Sequence, residues 1–292
     1  MVRHQPPRRD TVSNSPMHQA AFTGDLEKLQ ELTSLPDNQK NINLRNHLGC
    51  TPLRLAATAG NKACVELLIT HGADVNVTDI KGQTPLFVAV KNDHPGCVAA
   101  LVACGANPDG SPNCLSSPLF IAAMQGLVEC LQVLIQAGAD VDSSLIKGLY
   151  SGVTNTPLHI SFTYRHRECF RALLVAGADP NCGLSDKYLE TKPSLLDAAI
   201  EWGDIYFVKL LVEFGGTMTR NIERWKVTTA ADQMTEKERQ LEAYLAEIKS
   251  VPRSLQSLCR LNVRNTLGAK RLASVSALPL PSYMKKYLQH CV

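Results

Sequence analysis

The sequence predicts an all-α solenoid of stacked helix pairs, followed by a small helical segment at the carboxyl end. Three observations carry that prediction. "TPLRLAATAG" at Thr51 returns as "TPLFVAVKND" at Thr84 and "SPLFIAAMQG" at Ser117, a period of 33 residues. Each copy opens on Ser or Thr followed by Pro, which suits a helix N-cap and first turn. No copy holds enough apolar residues to bury its own face, so the units must stack into one continuous core.

The elements follow in order. Residues 1–14, within "MVRHQPPRRDTVSNSP", are basic and Pro-rich without the apolar run of a secretory signal, and are expected to form a flexible lead-in. A divergent first repeat opens at Ser15. Thr51, Thr84 and Thr156 are the expected N-caps of later first helices, whose small Ala56, Ala57, Ala89, Ala122 and Ala123 allow close helix approach. Gly60, Gly126 and Gly203 are expected to end them with positive φ. A second helix follows each, with ridges such as Leu67 and Leu68, Val133 and Leu134, Leu173 and Leu174, or Leu210 and Leu211. Gly72, Gly105, Gly138 and Gly177 close these helices, and an extended finger leads on. Two later repeats open at Thr156 and Ser194 after short insertions, so six are readable. Thr235 with Glu238 forms a capping box ahead of Leu241, Leu245 and Ile248, the second helix of a partial seventh.

Composition excludes several classes. At 292 residues, 45% apolar and 20% charged, the chain has the make-up of an ordinary folded protein. Its longest apolar runs fall short of the ~20 residues of a membrane-spanning helix, so no membrane association is expected. Ten dispersed cysteines with no C-x-x-C pair predict reduced thiols and no zinc. The expected compartment is the cytoplasm, with the nucleus also open. No phosphate-binding loop, nucleophile triad or H-E-x-x-H signature is present, so no catalytic residue, cofactor or metal site is expected. Charge is uneven: from Ser250 onward there are seven Lys or Arg and no Asp or Glu, against 23 basic and 27 acidic residues before it.

The repeats resemble ankyrin repeats, whose fingers are β-hairpin-like. That resemblance implies that His18 and His159, at the T-P-L-H position, make buried hydrogen bonds between neighbouring repeats. Cys64, Cys97, Cys130 and Cys169 recur in the second helices, where a small buried hydrophobe fits. The ankyrin domain is expected over 15–249.

Beyond Pro252 the pattern changes. Ser254 can cap an amphipathic helix in "SLQSLCRLNVR", with Leu255, Leu258, Cys259 and Val263 on one side and Gln256, Arg260 and Arg264 facing elsewhere. Periodicity alone leaves two uses for that stripe: a cap folded onto the last repeat, or a surface for another protein. Ser254, Leu255, Cys259 and Val263 resemble the elongin-binding box of a SOCS box, with Val263 where Ile or Leu is frequent. Leu278, Pro279, Leu280 and Pro281 resemble its cullin-binding box. With the repeats ahead, nearly the whole chain resembles the ankyrin repeat and SOCS box family, with a three-helix SOCS box over 250–292.

The resemblance implies a non-catalytic substrate receptor of a ubiquitin ligase. Leu255, Leu258, Cys259 and Val263 would meet elongin C, which arrives with elongin B, and the "LPLP" stretch would meet a cullin of the fifth type with its RING partner. A protein substrate would sit on the repeats. Repeat position nominates Asn46, His47, Asp79, Lys81, Thr58, Lys91, Met124, Tyr164 and Trp202 as exposed contacts, with the insertion "SSLIKGLYSGVTN" as an addition. A scaffold that binds a partner without recruiting a ligase fits the repeats equally well. The basic tail as a nucleic-acid or acidic-lipid patch is a third reading, opposed by its scarcity of aromatics and of dense basic clusters, so no nucleic acid is expected.

Overall fold

The computed structural model describes residues 14–35, 41–143, 156–182, 194–218, 235–250, 255–272, 275–277 and 279–289, with the side chains of some helix positions excepted. Six helix pairs are seen among them: α1 (Pro16–Thr23) with α2 (Leu26–Ser34), α3 (Pro52–Ala59) with α4 (Lys62–Thr70), α5 (Pro85–Lys91) with α6 (Pro95–Ala103), α7 (Pro118–Gln125) with α8 (Val128–Gln136), α9 (Pro157–Thr163) with α10 (Arg167–Ala176), and α11 (Leu195–Glu201) with α12 (Ile205–Glu213). Then come α13 (Glu236–Ser250), α14 (Leu255–Leu272), a 3-10 turn (Val275–Ala277) and α15 (Ser282–Leu288). The described residues form no strand. By compactness the chain divides into two units, Met1–Ala122 and Ala123–Val292.

In the first unit, Thr51 and Thr84 start α3 and α5 by accepting hydrogen bonds from the Arg54 and Phe87 amides at 3.2 and 3.1 Å. Leu53, Ala56, Ala57, Leu68, Leu86, Ala89 and Leu101 are fully buried between the helices. Gly60 closes α3 with φ 78°, but α5 has no such glycine. Asp93 takes the left-handed conformation there, with φ 56°. The predicted fingers are short turns: in one, the Asn46 amide donates to the Cys50 carbonyl, and in the next, that of Asp79 donates to Gln83.

Neighbouring repeats are tied by two sets of hydrogen bonds. In one, an Asn after a second helix accepts from the next finger: Asn43 from the Asp74 amide, and Asn76 from that of Asn107. In the other, the residue before a second helix reaches back to the preceding repeat. Asn61 donates to the Ala21 and Phe22 carbonyls, and His94 to that of Thr58. His18 spans repeats as expected, its Nε2 donating to the buried Cys50 carbonyl at 3.0 Å while Nδ1 accepts from the Ser15 hydroxyl.

The second unit repeats this construction. Thr156 caps α9, and Ser194 and Asp197 form a reciprocal capping box on α11. Asp142 and Asn181 accept from the Asp179 and Thr217 amides, and His166 donates to the Met124 carbonyl. Phe162, Phe170 and Phe207 meet edge-on or tilted in the core, the closest centroids 4.9 Å apart. Gly126 and Gly203 have the expected positive φ, while Arg165 at φ 59° serves after α9. On α13, Leu241 is buried and the Arg239 amide donates to the Thr235 carbonyl. The Glu238 side chain, Pro252, Ser254, Leu278 and the insertion from Ser144 to Asn155 lie outside what is described.

Candidate functional site

α14 is amphipathic in an unusual sense: each face bears apolar residues. Leu258 and Val263 are 48% and 41% exposed, and Cys259 is exposed beside them. The opposite face carries Leu261 and Arg264, only 9% and 5% exposed, with Leu272 buried further along. The predicted stripe is therefore uncovered by its own chain for Leu258, Cys259 and Val263. Leu255 occupies the first turn of the same helix, and its side chain is not among those described.

Periodicity turns Arg264 away from the apolar stripe, and the structure agrees, but the side chain is buried rather than left in solvent. Its guanidinium donates to the Leu288 carbonyl at 2.6 Å and to those of Leu174 and Val175 at 2.8 and 3.2 Å. The last carbonyls of a helix lack intrahelical partners, and the dipole there favours a cation, so the ends of α10 and α15 form a natural seat for arginine. The guanidinium also lies 5.1 Å from the Phe214 ring centroid. One turn earlier, Arg260 lies 4.6 Å from the Tyr287 centroid and 3.7 Å from the Glu213 carboxylate.

α14 bends at Gly268, where φ 68° and ψ 168° depart from helical values. Leu272 beyond the bend, Val275 and Leu288 make a small core, with Leu267 and Leu280 packed on it. Leu280 is thus half-buried, whereas Pro279 and Pro281 are exposed, and Pro281 caps α15. Tyr283 and Met284, on the first turn of α15, are also exposed.

The nominated substrate contacts separate into two groups. His47, Lys81, Lys91, Tyr164 and Trp202 are exposed, and Thr58 and Met124 half-buried. Trp202 is stacked parallel on Phe162 at 4.5 Å, with the Arg165 guanidinium 5.3 Å from its centroid. Asn46 and Asp79 are not exposed as expected: both are buried, because their side chains shape the fingers from inside. Asn46 Oδ1 accepts from the Leu48 and Cys50 amides. Asp79 accepts from the Lys81 and Gln83 amides and pairs with Arg54 at 2.6 Å. An acceptor two residues ahead of the turn was the available sequence signal.

Cysteine environments differ sharply. Burial raises the thiols of Cys64, Cys97 and Cys169 above their ordinary range, Cys169 to about 11. Cys259 and Cys104 are exposed. None of the described helices is long and apolar enough to cross a membrane.

Comparison with known proteins matches this geometry to named families. Residues 17–112 and 110–183 match the family model for ankyrin repeats (3 copies), and residues 251–289 match that for the SOCS box. Human ankyrin repeat and SOCS box protein 1 is 46% identical over 94% of this chain and 88% of its own length. Human ankyrin repeat and SOCS box protein 12 is 41% identical, with 96% and 92% covered. Among solved structures, the ankyrin repeat domain of human ASB11 superposes with a TM-score of 0.59 at 27% identity, covering 82% of this chain and all of that one. The chain belongs to the ankyrin repeat and SOCS box protein family, and so to the substrate adaptors of cullin-RING ubiquitin ligases.

Proposed function

We propose that residues 15–249 hold a protein substrate while residues 250–292 recruit elongin C with elongin B, a cullin of the fifth type and its RING-box protein, directing the substrate to ubiquitination and proteasomal degradation. The chain itself catalyses nothing. It replaces a rare encounter between substrate and charged conjugating enzyme with a high effective concentration. The observation that supports this reading is the open ridge of Leu258, Cys259 and Val263 on a helix whose other face is already packed. An apolar helix face of this kind fits a groove on a partner, and by sequence spacing Leu255 belongs to the same stripe.

In that contact Leu255 and Cys259 enter an apolar pocket on elongin C, and Pro279 and Pro281, with Leu278 and Leu280, meet the cullin. Full burial of a Leu side chain contributes roughly 1.5 to 3 kcal/mol, so Leu255→Ala weakens elongin binding by about one to two decades. The test is co-purification of elongins B and C with the intact chain and with a Leu255→Ala, Cys259→Ala variant, at ordinary and raised salt. Elongins retained by the unaltered chain at both salt concentrations and lost from a folded variant support the proposal. Failure of the unaltered chain to retain them overturns it in favour of a scaffold, and capture of nucleic acid that collapses at raised salt favours the basic-patch reading.

A further inference from the structure

We infer that Arg264 is a positioning residue that locks the SOCS box to the end of the repeat array, and thereby sets where a held substrate stands relative to the recruited ligase. The inference begins with the described contacts that join the two at this seam, where Arg260 also reaches the Glu213 carboxylate at 3.7 Å. A cleft of about 300 Å³ opens there, lined among others by Leu174, Pro180, Phe214, Leu261 and Leu272, so the surfaces are not packed solid. Apolar contact is supplied locally by Leu261, which lies against Gly215. Arg264 crosses the seam beside that cleft, and is almost wholly buried in doing so.

Its bonds have a particular geometry. One guanidinium nitrogen serves the end of α15, within the SOCS box, through the Leu288 carbonyl. The other serves the end of α10, within the repeats, through the Leu174 and Val175 carbonyls. Phe214, which follows α12, lies against the same group. A rigid planar fork therefore fixes three elements in one orientation, which the single-point ammonium of lysine cannot reproduce. The face of α14 that Arg264 leaves free is the one carrying Leu258, Cys259 and Val263, so anything bound there inherits the orientation set from behind.

The direct test is a distance distribution measured by pulsed electron spin resonance on the full chain, with nitroxides on keto amino acids placed at Arg171 of α10 and Thr266 of α14, both exposed. The expected result is one narrow distribution for the parent, at least a twofold broadening for Arg264→Ala, and an intermediate width for Arg264→Lys, with the repeat helices still folded by circular dichroism. Unchanged widths overturn the inference, and so does unfolding of the repeats by both variants, which would make Arg264 a folding residue.

A second measurement rests on the ligase reading above. With the ligase reconstituted, the chain's own modified lysines are mapped by mass spectrometry; Arg264→Ala spreads modification over more lysines while elongin retention is unchanged, an effect that stability alone does not produce. If elongins fail to bind, the ligase reading falls, and the distance distributions still decide the role of Arg264.

Discussion

Cys169 and Cys259 are the same residue type in opposite surroundings, and the difference is measurable. Burial pushes the Cys169 thiol up to about 11, which leaves about one molecule in a thousand as the reactive thiolate at pH 8. Cys259 meets solvent on the open ridge. Alkylation at pH 8 followed by peptide mapping is expected to label Cys104 and Cys259 quickly and Cys64, Cys97 and Cys169 only on unfolding. Addition of elongins B and C then protects Cys259 while Cys104 still reacts, and equal labelling of Cys259 in both states would count against the proposed contact. His18 carries a second single-residue prediction. Desolvation holds its imidazole below the ordinary value against the opposing hydrogen bond to the Cys50 carbonyl. The folded chain thus binds fewer protons than the unfolded one in the window below about pH 6.5. The stability from His18 is complete above that pH and is lost as pH falls through the unfolded value toward the folded one. The thermal midpoint is expected to drop between pH 7.5 and 5.5, and to drop less in His18→Gln; identical slopes would refute the assignment.

At the scale of the helix pair, two glycines with similar φ separate backbone strain from packing. A Cβ on Gly72 meets nothing within 4 Å, whereas one on Gly60 comes to 2.6 Å from the His94 ring. Gly72→Ala therefore carries only the left-handed strain of roughly 1 to 2 kcal/mol, and Gly60→Ala adds an overpacking cost of about 1 kcal/mol or more. Urea unfolding of the two variants checks the order, and equal losses would show that His94 gives way freely. These pairs were legible in the sequence because the signals for them are local: Ser or Thr at each start, followed by Pro in all but the sixth, glycine at most ends, and a period that repeats both. Asp93 and Arg165 were missed as helix ends because tertiary context imposed a left-handed backbone on residues that do not announce it. The outward ridge of α14 was legible from the spacing of Leu258, Cys259 and Val263. Its inward face was not, because Arg264 is buried by carbonyls 24 and 90 residues away, beyond the reach of any helical periodicity.

For the molecule as a whole, a repeat array is stabilised mainly by nearest neighbours, and each end needs a cover. In the second unit, Phe214 lies under Arg264, and Leu261 lies against Gly215. The cover is itself a weak fold: its buried apolar residues include Leu272, Val275 and Leu288, and a segment of about 40 residues rarely holds together unaided. Each part is therefore expected to suffer from separation, and unequally. Expressed alone, residues 250–292 should lack a cooperative thermal transition until elongins are added. Residues 1–249 should keep their helices, yet amide hydrogen exchange along α12 should accelerate at least tenfold, because the apolar surface around Phe214 is uncovered and the last pair frays. Exchange in α4 and α6, several repeats removed, should be unaffected, since local opening propagates through neighbouring contacts. A uniform acceleration along the array would mean that the repeats unfold as one block. Unchanged exchange in α12 would mean that the SOCS box hangs from the array without covering it, which the burial of Arg264 makes the less economical arrangement.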